Sequence, residues 1–253
     1  MKELRKKLDY LLKNSSGDDE VIEAIKQEPT IAPFSTEAHL LAYLLSIGEI
    51  TYEEYIGLNH EFYERYQQEN QYLELFEMAP RTFGQTWGEQ HIRKLFPQFL
   101  KASKRNLSVL YPGFDGEFGL WVNGIRVEVK ACRANSEAAK GSLASRAYTH
   151  VEAQKANFKY HYQQLKPSCC DVFIWIGVCR DALLYWVLSS EELQAAGKLG
   201  TQHRNENTGV VGIPVFEGQV FMTEDELKPF SVEEKDILTK VLEKGDAGFF
   251  RCQ

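Results

Sequence analysis

The chain has 253 residues, of which 43% are hydrophobic, 12% aromatic and 26% charged, with a formal net charge of −7. That composition supports a packed core and excludes disorder over most of the length, since disordered chains are poor in aromatics. No apolar run approaches the ~20 residues needed to cross a bilayer, and the N-terminus MKELRKKLDY carries charge where a secretory leader carries an apolar stretch, so the expectation is a cytoplasmic protein with no membrane partner.

In chain order, the first 80 residues read as a helical region. EAHLLAYLLSIG, 37–48, is apolar over one broad face, with Gly48 placed as a stop. Thr51 then opens TYEEYIGLNHEFYERYQQENQYLELFEM, and Thr51 with Glu54 fits a capping box. Helix, short turn and helix form the outline of a helix-turn-helix. The second helix, however, carries Glu53, Glu54, Glu61, Glu64 and Glu69, which phosphates would repel. Packing or dimerisation suits it better than reading DNA. Pro80 interrupts the pattern, and a further helix is expected over 84–96, with Trp87, Ile92, Leu95 and Phe96 as its apolar stripe.

After that helix the period changes. GEFGLWVNGIRVEVKA alternates about Asn123-Gly124, a strong signal for a two-residue hairpin turn. A polar, basic connection over about 150–166 reads as mostly helical. DVFIWIGVC and ALLYWVLSS then read as strands buried on both faces. The domains expected are a helical region over 1–80 and an α/β (α+β) domain over 81–253, with helices packed on a mixed sheet. The five cysteines are odd in number and show no CxxC spacing, so reduced thiols are expected rather than disulfides or a zinc site.

The chemistry concentrates around the hairpin. With Asn123-Gly124 as the turn, Leu120 pairs with Val127 and Gly119 with Glu128, so Glu128 and Lys130 share a face. Asp115 and Glu117 share it too if the facing strand continues without a bulge. Carboxylates gathered in this way repel one another unless a cation lies between them, and a hard divalent ion that takes oxygen ligands is the natural occupant. A lysine two residues beyond the carboxylate can orient water or offset charge on a phosphoryl group.

Asp115…Glu128-Val-Lys130, on a hairpin preceded by a helix that bears Glu89, resembles the PD-(D/E)xK motif of the restriction-endonuclease-like nucleases. The resemblance covers about residues 84–190. It implies a mixed central sheet flanked by helices, and a Mg²⁺-dependent type II restriction endonuclease that cleaves double-stranded DNA, with Mn²⁺ as a substitute ion. It further implies catalytic roles for Asp115, Glu128, Lys130 and Glu89, metal binding by Asp115 or Glu117 with Glu128, and a homodimer. The position opposite Glu128 is Gly119, where many such nucleases carry an aspartate. The first acid must then come from Asp115 or Glu117, or the site has lost it.

Residues 126–166 hold 8 Lys/Arg against 3 Glu, whereas residues 1–80 hold 7 Lys/Arg against 16 Asp/Glu. The basic stretch is therefore the candidate DNA face, through Arg133, Lys155, Lys159, Gln163, Gln164 and Lys166. Gln202, His203, Arg204 and Asn205 gather base-reading side chains in an expected loop. The six histidines show no HxxxH or HxH spacing, and GxSxG, GxGxxG and GxxxxGKS motifs are absent, so no nucleotide cofactor is expected. Three alternatives stay open: a structure-specific repair or junction nuclease on the same core, a catalytically silent DNA-binding protein, and a protein-interaction module built on the acidic helices.

Overall fold

The computed structural model describes residues 2–27, 36–201 and 217–249. The chain divides into two compact units, Met1–Asn70 and Gln71–Gln253. The first holds α1 (Lys2–Lys13), α2 (Asp19–Gln27), α3 (Thr36–Ser46) and α4 (Tyr52–Glu69). Their core is built from Leu8, Ile22, Leu40, Leu41, Leu44, Ile50, Leu58 and Phe62. The capping box is present in both directions between Thr51 and Glu54, which satisfies donors that the first turn of α4 leaves unpaired.

The second unit begins ten residues before the boundary read from the sequence. Tyr72 N–H donates to the carbonyl of Arg180 at 2.8 Å, and Leu75 and Phe76 are buried in the sheet's core, so 71–80 belong with the sheet. After α5 (Glu74–Glu77), the expected helix over 84–96 starts earlier, as α6 (Pro80–Thr82), passes through a π-helical turn at Phe83–Trp87, and ends as α7 (Gly88–Leu95). Its stripe behaves as expected at Ile92, which is fully buried.

The main sheet orders its six strands β1 (Leu100–Lys101), β2 (Leu120–Val122), β3 (Ile125–Arg133), β5 (Val172–Val178), β6 (Leu183–Ser189) and β9 (Ser231–Val232), as β1-β2-β3-β5-β6-β9. Only β3 and β5 run parallel among these pairs, so the sheet is mixed. The hairpin has the expected register, with Val122 opposite Ile125 and Leu120 opposite Val127. Asn123 and Gly124 both take positive φ, 47° and 89°, as a tight turn matched to strand twist requires. Every residue of β5 is buried. Val172, Ile174 and Ile176 pack on the side with Ile92, Ile237 and Val241, and Phe173 and Trp175 pack on the other.

That other side is covered by a second sheet of three strands, β4 (Lys159–Leu165), β8 (Gly218–Thr223) and β7 (Gly200–Thr201), in the order β4-β8-β7. Three short helices complete this part of the chain: α8 (His150–Lys155) before β4, α9 (Ser190–Ala195), which packs on β6 of the main sheet, and α10 (Glu224–Leu227), which packs on β8. The last helix is α11 (Ile237–Phe249). The basic connection over 150–166 is therefore not mostly helical. Helix α8 stops after 6 residues and the chain continues as a strand. The physical reason is visible in KYHYQ, where Tyr160 and Tyr162 are buried and Lys159, His161 and Gln163 alternate with them. The protein is a mixed α+β fold, and among the described residues no helix is long and apolar enough to cross a membrane.

Candidate active site

Strand β3 carries the centre of the site. Its odd-numbered residues Val127 and Val129 enter the core beneath α7, while Glu128 and Lys130 turn to the opposite face, beside Phe173 and Trp175 of β5. Lys130 Nζ lies 2.9 Å from Glu128 Oε1, and the two side chains are only 18% and 20% exposed. This face lines a cleft of about 1090 Å³, together with Glu89, Glu117, His161 and Phe221.

Glu89 comes from the first turn of α7, and Gly119 makes room for it. A Cβ at position 119 would stand 2.9 Å from the Glu89 carboxyl carbon and nearer still to Oε1. The Glu89 carboxylate thus occupies the space that a side chain at position 119 would take. Burial raises the Glu89 pKa above the ordinary carboxylate value, and the negative charge of Glu128 raises it further, against the opposing pull of Lys101, Lys130 and Arg93. Glu128 thereby opposes the ionisation of Glu89 in the partly buried cleft.

The first-acid position differs from the expectation. Asp115 is not among the residues lining the cleft; its carboxylate pairs with Lys104 at 2.8 Å and is half exposed. The cause lies in the strand. Regular pairing of β2 starts at Leu120, and Phe118 packs with Trp121 on the opposite side from Leu120, so the alternation does not extend back through 117 and 115. Gly116, at φ 95°, turns the chain there. Glu117 does line the cleft, and its Oε2 accepts the Asp115 backbone N–H at 2.8 Å.

The residues expected to contact DNA separate into several groups. Arg133, Lys159, Gln163, Gln164 and Lys166 line the cleft, with Lys159, Gln163 and Gln164 on β4 rather than on a helix. Gln164 has φ 54° at a bulge, where the register with β8 shifts between Tyr162 and Leu165. Lys155 is exposed on α8 but does not line the cleft. Arg133 is drawn into the fold: its Nη1 donates to the carbonyls of Leu75, Phe76 and Met78 at 3.1, 3.4 and 2.9 Å, and its guanidinium lies 4.4 Å from the centre of the Phe83 ring. Lys166 is paired at 2.9 Å with Glu217, which is 1% exposed, so its charge neutralises a buried carboxylate. Gln202, His203, Arg204 and Asn205 lie outside the described residues.

Among the cleft residues that the sequence does not single out are His161 and Phe221, whose rings stack 3.8 Å apart. The signal that could have found His161 is the period-two alternation of 159–163. Beneath them, the hydroxyl of Tyr162 and the indole Nε1 of Trp175 are buried without a hydrogen-bond partner in the protein. Buried polar groups of this kind normally meet water or a ligand.

Among the described residues no three His, Cys, Asp or Glu side chains converge as a ready set of metal ligands. Mg²⁺ does not require such a set, because it keeps several waters and binds through one or two carboxylates plus substrate phosphates. Glu89 and Glu128, one of them seated in the space left by Gly119, fit that demand in number and chemistry. Compared with known proteins, the chain matches no family model, no curated protein and no solved structure.

Proposed function

We propose that the protein is a Mg²⁺-dependent endonuclease that cleaves phosphodiester bonds of double-stranded DNA at specific sites, as type II restriction enzymes do. One observation carries this reading: the Glu89 carboxylate rests over Gly119 in the same cleft as the Glu128–Lys130 pair. The cluster has the elements of a PD-(D/E)xK-like centre, with the first acid supplied by the helix. Glu89 and Glu128 would hold the ion, with Glu117 as the other acid in the cleft. When bound, Mg²⁺ polarises a phosphoryl oxygen and lowers the pKa of water.

The residues of the chain divide the remaining work. Lys130 offsets negative charge on the phosphoryl group and orients the attacking water, while its contact with Glu128 fixes its position. Low exposure of that pair strengthens its field relative to open solvent. Lys159 and Gln163, exposed on the strand that walls the cleft, are placed to hold the DNA. A homodimer suits cleavage of both strands at a symmetric site.

The test is incubation of the purified chain with long unmodified DNA of varied sequence, with Mg²⁺ or with EDTA, resolved on a gel. Discrete bands that require Mg²⁺ and vanish with Glu128→Ala and Lys130→Ala are expected. Intact DNA under both Mg²⁺ and Mn²⁺ would sink the proposal, and a smear would replace sequence-specific cleavage with the structure-specific alternative.

A further inference from the structure

The wall of the cleft opposite the carboxylates has a composition that hydrolysis does not need. Phe221 lies on a regular strand yet is 49% exposed, and it lines the cleft. One face of its ring is covered by His161, at 3.8 Å between centroids and 17° between planes. His161 is itself held on two sides. Its backbone N–H donates to Cys132 Sγ at 3.3 Å, and its Nε2 lies 2.9 Å from Gln219 Oε1. The Gln219 amide nitrogen donates to the Thr201 carbonyl at 3.2 Å, so Oε1 is the acceptor toward the imidazole and Nε2 carries the hydrogen. The aromatic pair is therefore rigid before any ligand arrives, which lowers the entropic cost of using it.

Its position relative to the carboxylates follows from strand geometry. Cys132 lies on the same face of β3 as Glu128 and Lys130, and a rise of ~3.3 Å per residue puts it about 7 Å from Lys130 and about 13 Å from Glu128 along the strand. Cys132, where the His161 backbone meets β3, is thus a few nucleotides at most from a phosphate held at Glu128. Around the ring the wall is polar and basic: Lys159 and Gln163 are exposed on the same face of β4, and the bulge at Gln164 bends the strand there. A flat, half-exposed ring with a basic border suits a nucleobase, which offers a π-face beside a charged backbone. An apolar ligand would have to desolvate Lys159, Gln163 and Lys130.

We infer that the three-stranded sheet is the base-gripping wall of the cleft, and that Phe221, backed by His161, stacks on a base that has left its neighbours beside the scissile phosphate. Bases inside an intact duplex have both faces covered, so the substrate must be unstacked at that position, by extrusion or in a single-stranded stretch. This rests on the nuclease reading above and narrows the form of DNA that the cleft accepts.

The experiment is a fluorescence-polarisation titration of the full chain at low salt in EDTA, so that no strand is cut. The probes are a short mixed-sequence single strand and an abasic strand of equal length. Phe221→Ala is expected to weaken binding of the base-bearing strand about tenfold and leave the abasic strand unchanged, while Phe221→Tyr keeps wild-type affinity. Matching melting curves confirm that both variants fold. Equal losses on both strands, or no loss on either, overturn the platform; if the wild type still cleaves DNA with Mg²⁺, the nuclease reading survives that result. A wild-type chain that binds neither strand and cuts no DNA overturns both.

Discussion

Glu89 is partly buried in the cleft beside a second carboxylate, an arrangement that costs stability when both are ionised. Its pKa is raised on folding, so the native state holds a proton more tightly than the unfolded chain does. The stability it contributes is fully present below the ordinary carboxylate value and is lost as pH rises through the raised one. At neutral pH the ionised side chain therefore works against the fold, a common cost of a functional site. Glu89→Gln should raise the melting temperature at neutral pH and shrink that gain in acid, as followed by calorimetry across pH. The same variant should lower DNA cleavage by about a hundredfold or more, because a carboxylate proposed to hold the Mg²⁺ is lost. Gly119→Ala is the complementary probe. Its methyl group would meet the Glu89 carboxyl carbon at 2.9 Å, so cleavage should fall about tenfold or more through the displaced carboxylate while the far-ultraviolet dichroism stays unchanged. Wild-type cleavage by Gly119→Ala would show that the carboxylate need not rest there.

At the scale of elements, β3 does most of the positioning. Its alternation sends valines beneath α7 and puts Glu128 and Lys130 in the cleft, and the tight turn at Asn123-Gly124 sets its register against β2. Strand β4 forms the facing wall, and its far end is anchored by Lys166 on the buried Glu217. A buried ion pair broken on one side leaves an uncompensated charge, so Lys166→Ala should destabilise the protein by about 3 kcal/mol, measured by urea denaturation. A residue that only touched phosphate would leave that midpoint unmoved. Hairpin and buried strands were legible in the sequence because each follows one local pattern, period two or a continuous apolar run. Strand β4 was misread as helix because its polar residues and its bulge at Gln164 dilute the alternation of Tyr160 and Tyr162.

For the whole molecule, an overall charge of −7 has to be reconciled with the proposed polyanionic substrate. The acidic residues concentrate in 1–80, and the cleft carries Lys130 and Lys159, besides Lys166 and Arg133, which are engaged by Glu217 and by backbone carbonyls, with Lys155 exposed on α8. Local field decides association, not the total. Few lysines on the cleft mean few phosphate contacts, so DNA affinity should fall by about ten- to a hundredfold between 50 and 200 mM salt, less than for an extensively basic surface. Polarisation titrations over that range check it, and a salt-independent affinity would argue against phosphate contacts in the cleft.

The sequence by itself determined the α+β class, the helical start of the chain, the hairpin with its register, and the pairing of Glu128 with Lys130 on one face. All of these follow from the short-range periods of helix and strand. It also marked Glu89 as a helix-borne acid, and Gly119 as the position without one. Only the tertiary structure joined those two, because the contact depends on how closely α7 approaches the start of β2. For the same reason the chain alone could not show that Asp115 pairs with Lys104, that Arg133 anchors α5 and the residue after it, or that Lys166 serves Glu217. Each side chain is long and polar, its type is compatible with several partners, and the partner lies far away in sequence. Which one it meets is set by packing rather than by local pattern.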